Sequence, residues 1–121
     1  MFYSIIIATF NRLPILKKCL KAFEDQKFDP KQIKSFELIL IDDASTDGTA
    51  EWFKQTYKNQ PNFRLIEQKN NQGRSHTRNL GIKNAKGDML LFVDSDIIVL
   101  PDFLEQHFNA FTHAQKKLRQ R

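Results

Sequence analysis

Two aspartates, Asp94 and Asp96, stand one residue apart directly after the apolar run 89–93. A uniformly apolar run of this length is typical of a strand buried on both faces of a parallel sheet. Carboxylates at the end of such a strand are costly unless a cation or hydrogen-bond donors compensate them. A divalent cation would do so, because hard cations take carboxylate oxygens and commonly keep phosphate oxygens among their ligands. A turn in which both aspartates cap the next helix is the alternative.

The strands that would position these carboxylates alternate with helices. Apolar segments at 4–8, 36–41, 63–67 and 89–93 predict four strands. The first helix is predicted from apolar residues spaced three and four apart, which are Leu16, Cys19, Leu20 and Phe23. Helices are also expected over 49–57 and over 74–86, the latter with Gly87 as its C-terminal cap. A last helix after Pro101 has an apolar face made of Leu104, Phe108, Phe111 and Leu118. This α/β alternation predicts a doubly wound, mainly parallel sheet with helices on both faces.

Composition narrows the possible classes of protein. The 121 residues are enough for one domain, and no run of about 18 apolar residues predicts a membrane span. Much of the net charge of +5 comes from the run 116–121, without the interleaved aromatics of a nucleic-acid surface, so no nucleic-acid partner is expected. The single cysteine, Cys19, fits a reducing, cytoplasmic location and a place in the core. The chain enters its first strand without a basic leader, so no signal peptide is expected.

A polar segment follows each predicted strand. These segments are 8–12, 41–49, 70–81 and 94–96. Because parallel strands place their carboxyl ends at one edge of a sheet, the four segments should converge there. Their side chains suit a nucleoside diphosphate, since carboxylates accept from imide N–H groups and hydroxyls, and arginines neutralise phosphate.

In order and spacing, these segments resemble the nucleotide-binding half of the family 2 glycosyltransferases, which have the GT-A fold. The matching signatures are Thr-Phe-Asn-Arg at 9–12, Asp-Asp-x-Ser-x-Asp-Gly-Thr at 42–49, Asn-x-Gly-x-x-x-x-Arg-Asn-x-Gly at 71–81, and the Gly-Asp…Asp-x-Asp segment at 87–96. The resemblance implies a truncated, Rossmann-like sheet of about four strands in the order 3-2-1-4. It also implies that residues 1–121 form a single domain that binds a nucleoside diphosphate sugar, with a UDP-sugar favoured, and that the acceptor-binding half is absent.

The resemblance also implies roles for particular residues. Thr9 and Asn11 would line the base pocket, with Arg12 nearby. Asp43, rather than Asp42, would accept a hydrogen bond from the imide of uracil.

Three more residues would serve the diphosphate and the sugar. Arg74 would approach the nucleotide at the start of a helix, where free amides favour anions. Asp94 would contact ribose or the sugar and, with Asp96, bind Mn²⁺ or Mg²⁺ against the diphosphate. The metal would stabilise the leaving nucleoside diphosphate as a Lewis acid.

Other polar residues in these segments are better explained by structure. Asp47 is expected to start a helix, Ser45 to form a turn, and Gly81 to let a helix pack close to the sheet. Arg78 fits a loop-bridging role as well as a functional one. The three histidines have no metal-ligand spacing and are expected at the surface or in packing; they are His76, His107 and His113.

The catalytic base of an inverting transferase is not expected in this chain. The resemblance implies a carboxylate well beyond Asp96, whereas Asp102 and Glu105 occupy a predicted helix start, where acidic residues serve the helix dipole. We also expect a homo-oligomer through the exposed edge of the fourth strand or through the last helix. The basic tail allows peripheral contact with the inner face of a membrane.

The alternatives are a non-catalytic domain and other kinds of α/β enzyme. A non-catalytic interaction domain that kept the fold would show no response to nucleotides. A Rossmann dehydrogenase would need Gly-x-Gly-x-x-Gly after the first strand, and 8–12 holds no glycine, which also argues against a sugar nucleotidyltransferase.

Overall fold

Four strands alternate strictly with four helices in the computed structural model, which describes residues 1–119. The strands are β1 (Phe2–Thr9), β2 (Ser35–Asp42), β3 (Phe63–Glu67) and β4 (Met89–Phe92). The helices are α1 (Leu13–Glu24), α2 (Thr49–Thr56), α3 (Arg74–Asn84) and α4 (Phe103–Arg119). The predicted α/β alternation is confirmed.

All strand pairs are parallel, and the sheet order is β3-β2-β1-β4, as predicted. The chain moves outward from β1 through β2 to β3 and then returns to the other side of β1 as β4. The direction of winding therefore reverses between β1 and β4, which is where open α/β sheets form their ligand crevice.

This reversal also decides which helices cover which face of the sheet. Right-handed crossovers that run in opposite directions place their helices on opposite faces. One face carries Tyr3, Ile5 and Ile7 in a core with side chains from α1, α2 and α4. The other face carries Ile6, Ile39 and Ile41, with Leu80 of α3 packed against them. The predicted layers on both faces are confirmed.

The expectation that the fourth strand is buried on both faces is wrong. Met89, Leu90 and Leu91 are half-buried, and Phe92 is 41% exposed. The reason is position, because β4 pairs only with β1 among the described residues and forms the edge of the sheet.

Two glycines allow close approaches of the backbone. A Cβ at Gly81 would lie 2.5 Å from Cγ2 of Ile6 and 2.9 Å from Cδ1 of Ile41, so α3 packs directly on the sheet, as predicted. Gly87 is not the cap of α3, which ends at Asn84 and is followed by an extended Ala85. A Cβ at Gly87 would lie 2.7 Å from the backbone nitrogen of Ser4, so this glycine lets the chain pass close to β1.

Helix α4 packs on the sheet only through its first turns. Leu104 is buried and Phe103 and Phe108 join the core, whereas Leu118 is 66% exposed. The predicted apolar face is therefore covered along its first half alone. Among residues 1–119, no helix has the length and apolar character needed to cross a bilayer.

A buried ion pair ties three strands together at the opposite end of the sheet from the loops of interest. Glu37 accepts hydrogen bonds from Ser4 Oγ (2.6 Å), the Lys86 amide (2.7 Å) and Arg64 Nη2 (2.7 Å). Burial alone would raise the pKa of Glu37, but these hydrogen bonds outweigh it and lower the pKa. The network joins β1, β2 and β3 to the segment that follows α3.

Candidate nucleotide-binding site

A pocket of about 280 Å³ opens at the carboxyl edge of the sheet. Its lining comes from the ends of β1, β2 and β4 and from the first turn of α3, and consists of Ala8, Thr9, Phe10, Arg12, Asp43, Arg74, Thr77 and Ser95. Four of the predicted nucleotide-binding residues, Thr9, Arg12, Asp43 and Arg74, therefore meet in one pocket. Their binding roles stay predictions.

Thr9 is the last residue of β1 and is only 3% exposed. Its backbone oxygen accepts a hydrogen bond from the Asp43 amide (2.9 Å), which joins the ends of β1 and β2. Its hydroxyl Oγ1 is buried and has no hydrogen-bond partner among the described residues. Such a group carries a desolvation penalty that a ligand in the pocket could relieve.

Asp43 follows β2 directly and is 6% exposed. Its Oδ1 accepts from Gln68 Nε2 (2.8 Å) and the Gln72 amide (2.8 Å), and its Oδ2 accepts from the Gly73 amide (3.1 Å). Because a carboxylate offers about four acceptor positions, one position on Oδ2 remains for a ligand.

The neighbouring Asp42 does not line the pocket. Its Oδ1 accepts from the Ser45 amide (3.3 Å), and burial raises its pKa. The preference for Asp43 over Asp42 as the acceptor for uracil stays a prediction.

Asn11 joins two loops and is not among the residues that line the pocket. Its amide donates to Ser45 Oγ (2.9 Å), and its Oδ1 accepts from the Thr46 amide (2.7 Å). Asp47 strengthens the same junction, because its Oδ2 accepts from the Leu13 amide at the start of α1 (3.0 Å). Its Oδ1 accepts from the amide of Thr49, the first residue of α2, which is the helix that Asp47 is expected to start. Asn11 therefore supports the pocket through the loop after β2.

Asp94 and Asp96 each form an ion pair with an arginine of the pocket. Arg74 Nη2 lies 2.6 Å from Asp94 Oδ1, and Arg12 Nη1 lies 3.3 Å from Asp96 Oδ2. All four side chains are at least half exposed, so each pair is worth little on its own. The two aspartates do lie in a turn, closed by the Ile97 amide on Asp94 O (3.1 Å), but they cap no helix, since α4 begins only at Phe103.

The buried Cys19 of α1 supports this turn from below. Its thiol donates to the backbone oxygen of Asp94 at 3.8 Å. Burial, followed by the negative charge of Asp96, raises the pKa of Cys19 to about 12. The thiol therefore stays protonated at neutral pH, and its predicted place in the core is confirmed.

Within the part of the chain that the structure describes, no three His, Cys, Asp or Glu side chains come together as a metal site. The donor set still suits Mg²⁺ or Mn²⁺ in one specific arrangement. Mg²⁺ is commonly held by one or two carboxylates together with substrate phosphates, and Asp94 and Asp96 are two exposed carboxylates at the rim of the pocket.

Sequence reasoning assigned no role to two residues that line the pocket and to one residue that contacts its lining. Ser95 and Thr77 are buried and line the pocket, and Gln68 contacts both Asp43 and Thr77. Gln68 could have been found, because it directly follows β3 and so lies at the same edge as the other strand ends. Arg78 fits either a loop-bridging or a functional role by sequence. Its guanidinium lies 4.4 Å from the ring centre of Phe92, so it packs against β4.

Comparison with known proteins identifies the family of the chain. The family model for Glycosyl transferase family 2 matches residues 4–118. Glycosyltransferase AglE of Haloferax volcanii is 32% identical over 105 residues, covering 87% of this chain and 34% of the relative. A poly(ribitol-phosphate) beta-glucosyltransferase of Bacillus spizizenii is 36% identical over 110 residues, covering 90% of this chain and 17% of the relative. The chain thus spans at most about a third of the length of these two proteins.

Solved structures give the same result. The crystal structure of Staphylococcus aureus TarS 1–349 in complex with UDP-GlcNAc superposes with a TM-score of 0.76 at 30% identity, covering 88% of this chain and 30% of that one. A Pyrobaculum calidifontis mannosyltransferase in complex with GDP-Man and Mn²⁺ superposes with a TM-score of 0.67 at 25% identity, covering 78% and 27%. With the parallel sheet, its order and the pocket at the switch point, these matches show that the chain belongs to glycosyl transferase family 2.

Proposed function

We propose that the pocket binds the nucleoside diphosphate of a sugar donor, with a UDP-sugar favoured, for transfer with inversion to an acceptor. One observation carries this proposal: a buried Thr9 hydroxyl and an acceptor position on Asp43, both without a partner within residues 1–119, line the same pocket as two arginines. Support comes from the TarS complex with UDP-GlcNAc, a relative that covers most of this chain.

The nucleobase would be recognised by the buried polar groups of Thr9 and Asp43. Uracil carries an imide N–H between two carbonyls, so Asp43 Oδ2 would accept from the imide and Thr9 Oγ1 would donate to an oxygen of the nucleoside. Asn11 would hold the loop that carries Asp43. A site whose buried acceptor is satisfied by one base rejects a base that presents an acceptor instead.

The diphosphate would lie towards the arginines. Arg12 and Arg74 both line the pocket, and their guanidinium groups are exposed and so accessible to phosphate oxygens. Arg74 is also the first residue of α3, where the helix dipole favours an anion.

Asp94 and Asp96 would hold Mn²⁺ or Mg²⁺. When bound, the cation would supply Lewis-acid stabilisation of the leaving diphosphate. Because both carboxylates are paired with arginines, a cation would compete with Arg12 and Arg74 for them.

We place the base that deprotonates the acceptor outside residues 1–121. The next carboxylates after the site lie at the start of α4, where Oδ2 of Asp102, the residue before the helix, accepts from Gln106 Nε2 (3.1 Å). Asp43 is not available as the catalytic base, because its carboxylate accepts from three donors and would also contact the nucleobase. We also propose that copies of the chain associate through β4 or α4. The basic tail would contact a membrane.

Titration calorimetry with UDP, with and without Mn²⁺, tests this function. We expect UDP to bind, Mn²⁺ to tighten its binding, and Asp43→Asn to weaken UDP by at least about tenfold, since an acceptor for the imide becomes an amide. Asp25→Asn is the matched control, because Asp25 lies at the exposed end of α1, away from the pocket, where it pairs with Lys21. A folded protein that gives no heat with UDP under either condition would overturn the proposal and favour a non-catalytic domain.

A further inference from the structure

Gln68 belongs to a closed ring of hydrogen bonds that includes Asp43. Its Nε2 donates to Asp43 Oδ1 (2.8 Å) and to Thr77 Oγ1 (2.9 Å). The Thr77 hydroxyl in turn donates to Gly73 O (2.7 Å), and the Gly73 amide donates back to Asp43 Oδ2 (3.1 Å). The ring therefore joins the end of β2, the end of β3 and the first turn of α3.

The ring is built on rigid backbone. The backbone N–H of Gln68 donates to Asp42 O (2.9 Å), and this bond continues the β2–β3 ladder one residue beyond the end of β3. Thr77 is fully buried on α3. The orientation of the Gln68 amide is also determined, because a carboxylate only accepts and so must face the NH₂ group.

The distribution of donors on Asp43 is uneven. Oδ1 receives two of them, from Gln68 and Gln72, whereas Oδ2 receives one, from Gly73. Gln68 and Gln72 thus fill both acceptor positions of Oδ1, and the remaining acceptor position lies on Oδ2. Without Gln68, each oxygen would keep one donor, so both oxygens would offer a free acceptor position and Oδ2 would no longer be singled out.

We infer that Gln68 is a positioning residue that orients Asp43 so that Oδ2 selects a base carrying an N–H donor, as uracil does. This inference rests on the proposed function of the pocket and names the residue that sets its selectivity. Gln68 itself touches no ligand in this scheme, since it acts only through the carboxylate of Asp43.

The test compares UDP with 3-methyl-UDP, which lacks the imide N–H, in Gln68→Met and the native chain. Methionine keeps the length of the side chain and removes the donor. We expect Gln68→Met to weaken UDP about tenfold and 3-methyl-UDP by less than about twofold, because only UDP uses the oriented oxygen. Gln55→Met, at an exposed position of α2, is the matched control and should change neither affinity.

Equal losses for both ligands, or no loss for UDP, would overturn the inference, because a general disturbance of the pocket would not distinguish them. If Gln68→Met does not fold, Gln68→Asn replaces it, since the shorter amide keeps a polar group at this position but does not reach Asp43 Oδ1, and it should again weaken UDP while sparing 3-methyl-UDP. Amide hydrogen exchange provides a readout without nucleotide. The Gln72 and Gly73 amides should lose protection in the variant, and unchanged protection would show that Gln68 does not hold this ring. Failure of the native chain to bind UDP would instead overturn the proposed function.

Discussion

The hydroxyl of Thr9 has different consequences for the stability of the fold and for ligand binding. Its Oγ1 is buried without a partner among the described residues, so it adds nothing to the stability of the free protein. We predict that Thr9→Val, which keeps the shape and removes the hydroxyl, changes the free energy of unfolding by less than about 0.5 kcal/mol or raises it. The affinity for UDP should fall about five- to tenfold, since a hydrogen bond to the ligand is lost. Urea unfolding and calorimetry on the same samples measure both quantities.

Thr77→Val is the natural comparison for that experiment. The Thr77 hydroxyl is also buried, but it accepts from Gln68 and donates to Gly73 O. Its removal should cost about 1–2 kcal/mol of stability because two partners lose a hydrogen bond. A Thr9→Val protein that is destabilised to the same extent and binds UDP normally would show that Thr9 is a structural residue.

Sequence reasoning succeeded at residues whose position within a predicted element left one interpretation. Glycine at 81 predicted close packing because α3 is otherwise an ordinary helix, and Cys19 was placed in the core by its spacing. The partners of Asp43 were not predictable, since Gln68 and the Gln72 and Gly73 amides meet it only through the tertiary fold. Gly87 was misassigned because a cap and a close approach to β1 both require glycine, and the sequence does not distinguish them.

Helix α4 is held to the sheet by a contact that depends on pH. Tyr3 Oη of β1 lies 3.0 Å from His107 Nδ1, and their rings meet edge to face. Burial lowers the pKa of His107 from its usual 6.5. Because the unfolded chain then binds the proton more readily, this contribution to stability is present above about pH 6.5 and is lost as the pH falls through the folded pKa.

We therefore predict that the native chain loses stability between about pH 7.5 and about pH 5.5, and that His107→Asn loses less over this interval. Urea midpoints from far-UV circular dichroism at several pH values measure the slope. His113→Asn is the control, since His113 is exposed on the same helix and should keep the native slope. Identical slopes in all three proteins would mean that His107 does not couple α4 to pH.

The patterns of whole elements were the most predictable part of the fold. Continuous apolar segments located every strand, and apolar spacing together with turn and capping residues located the helices, because these signals are local to each element. Edge and centre were harder, since β4 reads as fully apolar yet lies at the edge of the sheet. An apolar strand signals that a surface is to be covered, and it does not say by what.

At the scale of the whole molecule, the uncovered side of β4 has a consequence for association. Its outer backbone groups have no strand beside them among the described residues, and Phe92 is 41% exposed. Exposed apolar side chains also follow in the next segment, at Ile97, Ile98 and Leu100. An open, apolar edge of this kind is a template for pairing with another strand. We predict that the chain forms dimers or larger assemblies at about 100 µM, observed by sedimentation velocity.

Two variants distinguish the two possible routes of association. Phe92→Lys places a cation on the edge strand, where charge discourages pairing, whereas Leu118→Lys alters the exposed end of α4. If copies join through the sheet, only Phe92→Lys restores the monomer; if they join through the helix, only Leu118→Lys does. Because each copy carries a net charge of +5, added salt should strengthen association by screening the repulsion between them. A native chain that stays monomeric at this concentration in high salt would contradict both routes and would leave the edge of β4 to be covered by a different chain or segment.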